Sequence, residues 1–208
     1  MENVLEVYAR PKDEAIPLVC LDEFSKQLIS EVSAPLAMTK KSQAKQDYEY
    51  VREGSVTSFI MALPHLGMRH LYTAPSGRRT AIDFAHCIDY LLSEVLPDAK
   101  KVVLVMDNLN THSEASLYKA FAPAKARSFC ERLEIHFTPK HGSWLNMAEI
   151  EIGKLVKTGL KERIPSRVEY DTQTDAYLRL SNQSPQAIKW QFTNEKARVK
   201  LRHLYPSF

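Results

Sequence analysis

The sequence predicts an α/β fold in which helices flank a sheet of mixed strand direction. Three observations carry that expectation. Short apolar runs alternate with segments of helical periodicity, in the order strand, hairpin, helix, strand, helices, strand, helix. Two of the runs, LVCLDEF (18–24) and KVVLVMD (101–107), are largely continuous in apolar residues, as strands buried on both faces are, and both end on acids. Finally, SVTSFIMAL (55–63) and RHLYTA (69–74) flank the turn at 64–67 in the manner of an antiparallel hairpin.

Taken in order, residues 1–17 read as a linker, with Pro11 and Pro17 punctuating the entry to the first strand. Residues 38–47 are polar, carry lysines and show no periodicity, so they are expected to form a loop. Thr80 is a suitable N-cap for TAIDFAHCIDYLLSEVL, in which Phe84, Ile88, Leu91, Leu92 and Val95 recur at helical spacing until Pro97 stops the pattern. After the strand at 101–107 comes helical material from Glu114 to Leu133, broken near Pro123. EIHFT (134–138) then alternates as a strand, and a final long helix is expected to begin at Ser143 or Trp144. One domain is expected over 18–165, followed by a basic helical extension over 166–208.

Composition excludes several classes. An apolar fraction of 44% and a charged fraction of 25% are those of a globular protein, and the apolar runs are too short to span a bilayer. No basic-then-apolar leader opens the chain, so a cytoplasmic, nucleoid-associated location is expected. Cys20, Cys87 and Cys130 form no CxxC pair, which argues against a zinc knuckle and leaves them as small core hydrophobes. The net charge of +3 is unevenly spread: residues 152–208 hold eleven Lys and Arg against five Asp and Glu. A basic C-terminal third after a mildly acidic body suits a metal site followed by a polyanion-binding surface, and equally suits a solvated charged helix.

The acids carry the chemistry. Asp22 and Asp107 stand at the C-terminal ends of apolar strands, where open α/β sheets present catalytic groups, although either could simply start a turn. If the two strands are neighbours, the carboxylates repel unless a cation lies between them, and hard oxygen ligands of this kind suit Mg²⁺ or Mn²⁺. A third acid lies in TPKHGSWLNMAEIE (138–151). With the helix counted from Trp144, Leu145, Ala148, Glu149, Ile152, Leu155 and Val156 fall on one stripe, so Glu149 is expected on the inward face and Glu151 at the surface beside Lys154. A buried carboxylate at Glu149 would need a cation, a hydrogen-bond network or a water-filled cleft; the alternative is an edge position with its head in solvent.

LDEF around Asp22, DNLNTH from Asp107 and SWLNMAE ending in Glu149 resemble, in this order, the three signature blocks of DDE transposases of the mariner-like superfamily, in particular its bacterial insertion-sequence branch. The resemblance runs from about Leu18 to the C-terminus. It implies a ribonuclease-H-like fold and a triad of Asp22, Asp107 and Glu149 that holds two Mg²⁺ or Mn²⁺ ions. It also implies DNA strand cleavage and strand transfer, with transposon ends and target DNA as partners, on a homo-oligomer, since joining two ends requires two active sites. Asn108, His112, Lys140, His141 and Trp144 become candidates for nucleic-acid contact, with surface histidines and a core tryptophan as the alternative readings. Two departures stand out: 41 residues separate Asp107 from Glu149, more than in animal mariner-like elements, and Asn146-Met147 replaces the Asn-Pro common in relatives. Relatives also carry an N-terminal helix-turn-helix region, so the chain is expected to be the catalytic half, and a separately encoded helix-turn-helix half is one candidate partner. A nuclease that only hydrolyses, and a truncated non-catalytic remnant that binds DNA or partner subunits, are the competing functions.

Overall fold

The computed structural model describes residues 1–205 except Lys41 and Gln46. Among these, helix α1 (Glu2–Ala9) precedes three antiparallel strands, β1 (Leu18–Glu31), β2 (Tyr50–Leu63) and β3 (Met68–Thr73). Helix α2 (Ala81–Tyr90) leads to β4 (Val102–Met106), helices α3 (Glu114–Ala120) and α4 (Pro123–Arg132), and β5 (Leu133–Phe137). Helices α5 (Ala148–Thr158), α6 (Arg167–Gln183) and α7 (Asn194–Lys200) complete the chain. The sheet order is β3-β2-β1-β4-β5, with β4 parallel to both β1 and β5.

Strands β1 and β4 lie in the middle of the sheet, which is why their sequences are apolar on both faces. Val19, Leu21, Leu104 and Met106 face the helices α2, α3 and α4 through Phe84, Ile88, Leu117 and Phe129. Leu18, Cys20, Val103 and Val105 face the other way, against Val4 and Leu5 of α1, Ala148 of α5 and Ala197 of α7. Thr80 caps α2 as its sequence suggests: its hydroxyl accepts from Asp83 N while Asp83 reaches back to Thr80 N. The helical register then widens into a π-turn over Leu91–Val95 before Pro97. The interruption of the 114–133 segment at Pro123, the hairpin and the loop character of 38–47 all follow the sequence pattern, the last with only isolated bridges among its described residues.

Several expectations are corrected. Residues 1–17 are not merely a linker, because α1 buries Val4, Leu5, Val7 and Tyr8 in the second core. Strands β1 and β2, 14 residues each, outrun the segments 18–24 and 55–63, since the antiparallel ladder continues through polar residues to Glu31 opposite Tyr50. The last helix over the third acid starts at Ala148, after a 3₁₀ turn at Ser143–Leu145, and not at Ser143 or Trp144. Residues 166–208 do not stand apart as an extension: Tyr170 is fully buried beside Leu28 and Leu155, and its hydroxyl meets Ser58 Oγ at 2.7 Å. Cys130 is only partly buried, while Cys20 and Cys87 are core residues.

The C-terminal segment also crosses the hairpin turn. Ile188 N donates to Pro64 O at 2.9 Å, and a Cβ on Gly67 would meet the Gln186 backbone at 2.2 Å. Only glycine fits there, and its φ of +67° is one that glycine adopts without cost. At the far end of the segment, Arg198 grips Glu2 through two bonds of 2.8 and 2.7 Å, and Tyr205 adds a third at 2.9 Å.

Candidate active site

Strand register brings the first two acids together. Leu18 is opposite Val103 and Cys20 opposite Val105, so two residues further on Asp22 and Asp107 stand abreast at the C-terminal edge of the parallel pair. Alternation puts Asp22 on the face of Leu18 and Cys20, the face covered by α5.

The third acid is delivered by the turn that follows β5. Thr138 N bonds Met106 O at 2.9 Å, and Gly142 N closes a tight turn on Pro139 O at 2.8 Å. His141 takes a left-handed φ of 62°, and a Cβ on Gly142 would lie 2.6 Å from Pro139 Cγ, so this turn admits few other sequences. Buried Asn146 then fastens the start of α5 to β1. Its Nδ2 donates to Leu21 O at 2.8 Å and lies 3.4 Å from Asp22 Oδ2, and its Oδ1 accepts from Ala148 N at 3.2 Å. Glu149 therefore sits in the first turn of α5, where unpaired backbone N–H groups favour negative charge.

Glu149 is exposed, which corrects the inward placement drawn from the helical wheel. The buried stripe is Ala148, Glu151 and Leu155. Counting from Trp144 carried a helical period through a 3₁₀ turn and a bend at Asn146, and so rotated the wheel. Glu151, expected at the surface, is 1% exposed. It does bond Lys154 at 2.8 Å, but its other oxygen pairs with buried Arg69 Nε at 3.0 Å. Glu149 projects instead near Asp22, and its charge registers there. Burial pushes the Asp22 carboxyl up to about 7, against a bond from Glu23 N, with Glu149, Glu23 and Asp107 adding like charge. A carboxyl in this position is stabilised by a proton or a cation. Asp22, Asp107 and Glu149 present only oxygen donors, and like charge crowds the buried Asp22 carboxyl, so the arrangement fits a hard divalent ion.

On the opposite face of β1, Glu23 is almost fully buried, a residue that the sequence reading passed over. The signal was present: strict alternation turns the acid after Asp22 toward the other core, where a carboxylate needs a partner. It has two, Arg79 Nη1 at 3.2 Å and His112 Nε2 at 3.3 Å. His112 is buried, stacked 4.9 Å from the Phe84 ring, with Nδ1 2.6 Å from Asp107 Oδ1. Burial disfavours its charge, but the carboxylates of Asp107 and Glu23 outweigh that and raise its pKa to about 9. The expectation that His112 touches nucleic acid, or lies at the surface, is therefore corrected: the ring is enclosed between two acids. Asn108, Lys140 and His141 are exposed in the loops after β4 and β5, at the same end of the sheet as the acids. Trp144 is 49% exposed and meets the Phe192 ring edge-on at 5.5 Å, so it is not a core residue.

No helix among the described residues is long and apolar enough to cross a membrane. No curated protein is similar enough in sequence to match the chain. Among solved structures, it is similar to the Mos1 mariner paired end complex with Mn, at 14% identity and a TM-score of 0.56, over 86% of this chain and 54% of that one. The Mos1 strand transfer complex is similar at 15% identity and a TM-score of 0.54, over 86% and 52%. The Mos1 paired end complex with Mg is similar at 14% identity and a TM-score of 0.51, over 90% and 62%. These likenesses establish a ribonuclease-H-like fold, in a chain that spans about half the length of those proteins. The family description "DDE superfamily endonuclease" matches residues 17–170, a stretch that holds the whole sheet and all three acids, and the chain belongs to that family.

Proposed function

We propose that this chain is the catalytic domain of a DNA transposase that cuts at transposon ends and joins the freed 3′-hydroxyl to target DNA, with Asp22, Asp107 and Glu149 as its metal-holding triad. The observation that carries this reading is the register of β1 against β4, which sets two carboxylates abreast, with a third on the first turn of α5 near enough to raise the pKa of Asp22.

The three side chains would hold two Mg²⁺ or Mn²⁺ ions, as suits the Mn and Mg complexes among the similar structures. Bound there, such ions lower the pKa of a water or 3′-hydroxyl and offset charge on the leaving oxygen of an in-line displacement. The chain supplies the rest. Asn146 fixes the distance between α5 and β1, and hence that between Glu149 and Asp22. Lys140 and His141, exposed on the strained turn, and Asn108 beyond β4 are suited to phosphate contacts that set the register of the DNA. Trp144, braced by Phe192, presents an indole face on which a base can stack. Residues 18–165 would carry the catalytic groups, with α6 and α7 packed onto them and adding basic surface. Joining two ends requires two copies of the site, and a separately encoded helix-turn-helix half would supply end recognition.

The test is to supply a duplex with a free 3′-hydroxyl end, plasmid target and Mn²⁺, and to look for joined products. Wild-type chain should join them and Asp107→Ala should neither nick nor join. Nicking without joining would replace this reading with that of a hydrolysing nuclease.

A further inference from the structure

Behind the triad lies a row of side chains that the reaction does not use directly. Asp107, His112, Glu23 and Arg79 follow one another from the mouth of the site, through the protein, to its surface on the other side of β1. His112 and Glu23 are almost wholly enclosed, with side-chain exposures of 0% and 4%. Glu23, Asp107 and His112 bring ligand atoms within 4.8 Å of one another, and here they stand as an ion-paired row. The imidazole fills the space between the carboxylates, and its two nitrogens face different acids, 2.6 Å from Asp107 Oδ1 and 3.3 Å from Glu23 Oε2.

We propose that Glu23 and His112 are positioning residues: Glu23 holds the His112 ring, and the ring aims the Asp107 carboxylate toward the face of Asp22 and Glu149. Each contact has a reason in this arrangement. Each ring nitrogen lies within ion-pair distance of a carboxylate oxygen, so the ring cannot turn away from Glu23 without also leaving Asp107. The ring leans against Phe84 at a 32° tilt, and Nδ1 also lies 3.2 Å from the Asp107 carbonyl oxygen, so it has little freedom to turn. Asp107 itself follows the last residue of β4, where the ladder no longer fixes the backbone, and its side chain is 33% exposed. It needs an external guide. Asp107 Oδ1, His112 Nε2 and Glu23 Oε2 are buried without well-aligned hydrogen bonds, as expected for a catalytic network that tightens only when its ligand arrives. Partners of this kind typically govern metal affinity by 10–100-fold.

The inference rests on the metal reading above, and calorimetric titration of Mn²⁺ into the metal-free chain separates the two. Glu23→Gln keeps the shape of the side chain but sets an amide against either Arg79 or His112; His112→Ala removes the guide. Both should weaken Mn²⁺ binding by about 10–100-fold. Metal-free DNA affinity should hold, or rise in Glu23→Gln, which releases exposed Arg79 to meet phosphate. A general loss of structure would lower both affinities together, and the melting temperature of each variant reports it. If His112→Ala does not fold, Glu23→Gln alone decides. Folded variants that bind Mn²⁺ as the wild type does, while Asp22→Asn does not, would overturn the positioning role alone. A wild-type chain that binds no Mn²⁺ would overturn the metal reading and this proposal with it.

Discussion

Replacing Asp22 with Asn should make the metal-free protein more stable, and the gain should depend on pH in one direction. Asp22 is 8% exposed, and its pKa stands at about 7 against an ordinary 3.8. A carboxyl raised in the folded state holds its proton more tightly there than in the unfolded chain. Its stabilising contribution is therefore fully present below about pH 4 and is lost as pH rises toward 7. At about 1.4 kcal/mol for each tenfold change in affinity, the ionised, metal-free protein carries a penalty on the order of 4 kcal/mol, an upper figure because water enters an open cleft. A chain of this size loses roughly 2–4 °C of Tm per kcal/mol, so the asparagine variant should melt on the order of 10 °C above wild type at pH 8. Near pH 4 the two should coincide. Calorimetric or fluorescence melts across that range, in chelator and then in Mg²⁺, provide the assay. Mg²⁺ should stabilise wild type and close the gap, because an ion that binds only the folded site adds its binding free energy to stability. A gap that does not change with pH, or equal stabilisation of both proteins by Mg²⁺, would refute the reasoning.

Other outcomes follow from neighbouring residues. Glu149→Gln should abolish metal-dependent nicking and leave Tm unchanged, since the side chain is exposed; Glu151→Ala should cost on the order of 3 kcal/mol by stranding buried Arg69, while the fraction that folds still cuts. Denaturant titration with nicking assays distinguishes the two. Asn146→Ala should lower stability by about 1–2 kcal/mol and lower activity further than that loss explains, because the bonds to Leu21 and Ala148 set the position of Glu149. Mn²⁺ titration should show weaker binding in this variant. The 208-residue chain should bind transposon-end and scrambled duplexes within about threefold of each other, with both affinities falling steeply as salt rises. A strong, salt-tolerant preference for one end sequence in a fluorescence titration would show base readout within this chain.

What the sequence disclosed, it disclosed through burial. The central strands are apolar on both faces and end on acids, so Asp22 and Asp107 were visible as a pair before their register was known. Thr80, Pro97 and Pro123 mark helix limits through local chemistry that tertiary contacts did not override. The helical wheel puts Glu149 on the inward face and the structure exposes it, since a wheel drawn across a 3₁₀ turn carries no reliable phase. Glu23 is masked by its neighbour: an acid beside a candidate metal ligand looks redundant until alternation sends it to the opposite core. Helix α1 is only eight residues long and lacks a side-chain cap, so its stability comes from the sheet and not from its own sequence. The ladder beyond Asp22 escaped notice for a related reason, being held by backbone pairing and not by an apolar pattern.

The bidentate grip of Arg198 on Glu2, with Tyr205 beside it, makes α1 and α7 neighbours in space. A short glycine-rich bridge from 205 to 1 would therefore have little entropic cost, and the chain could be opened instead beside exposed Met38. Such a permuted chain would keep every strand pairing of the sheet while moving its attachment points to the rim of the β1–β2 ladder. Cargo fused there would leave the α1–α7 corner uncovered, whereas cargo fused at residue 1 or 205 would shadow it. Comparing the two fusions therefore turns a surface ion pair into a ruler for which side of the domain must stay open to DNA.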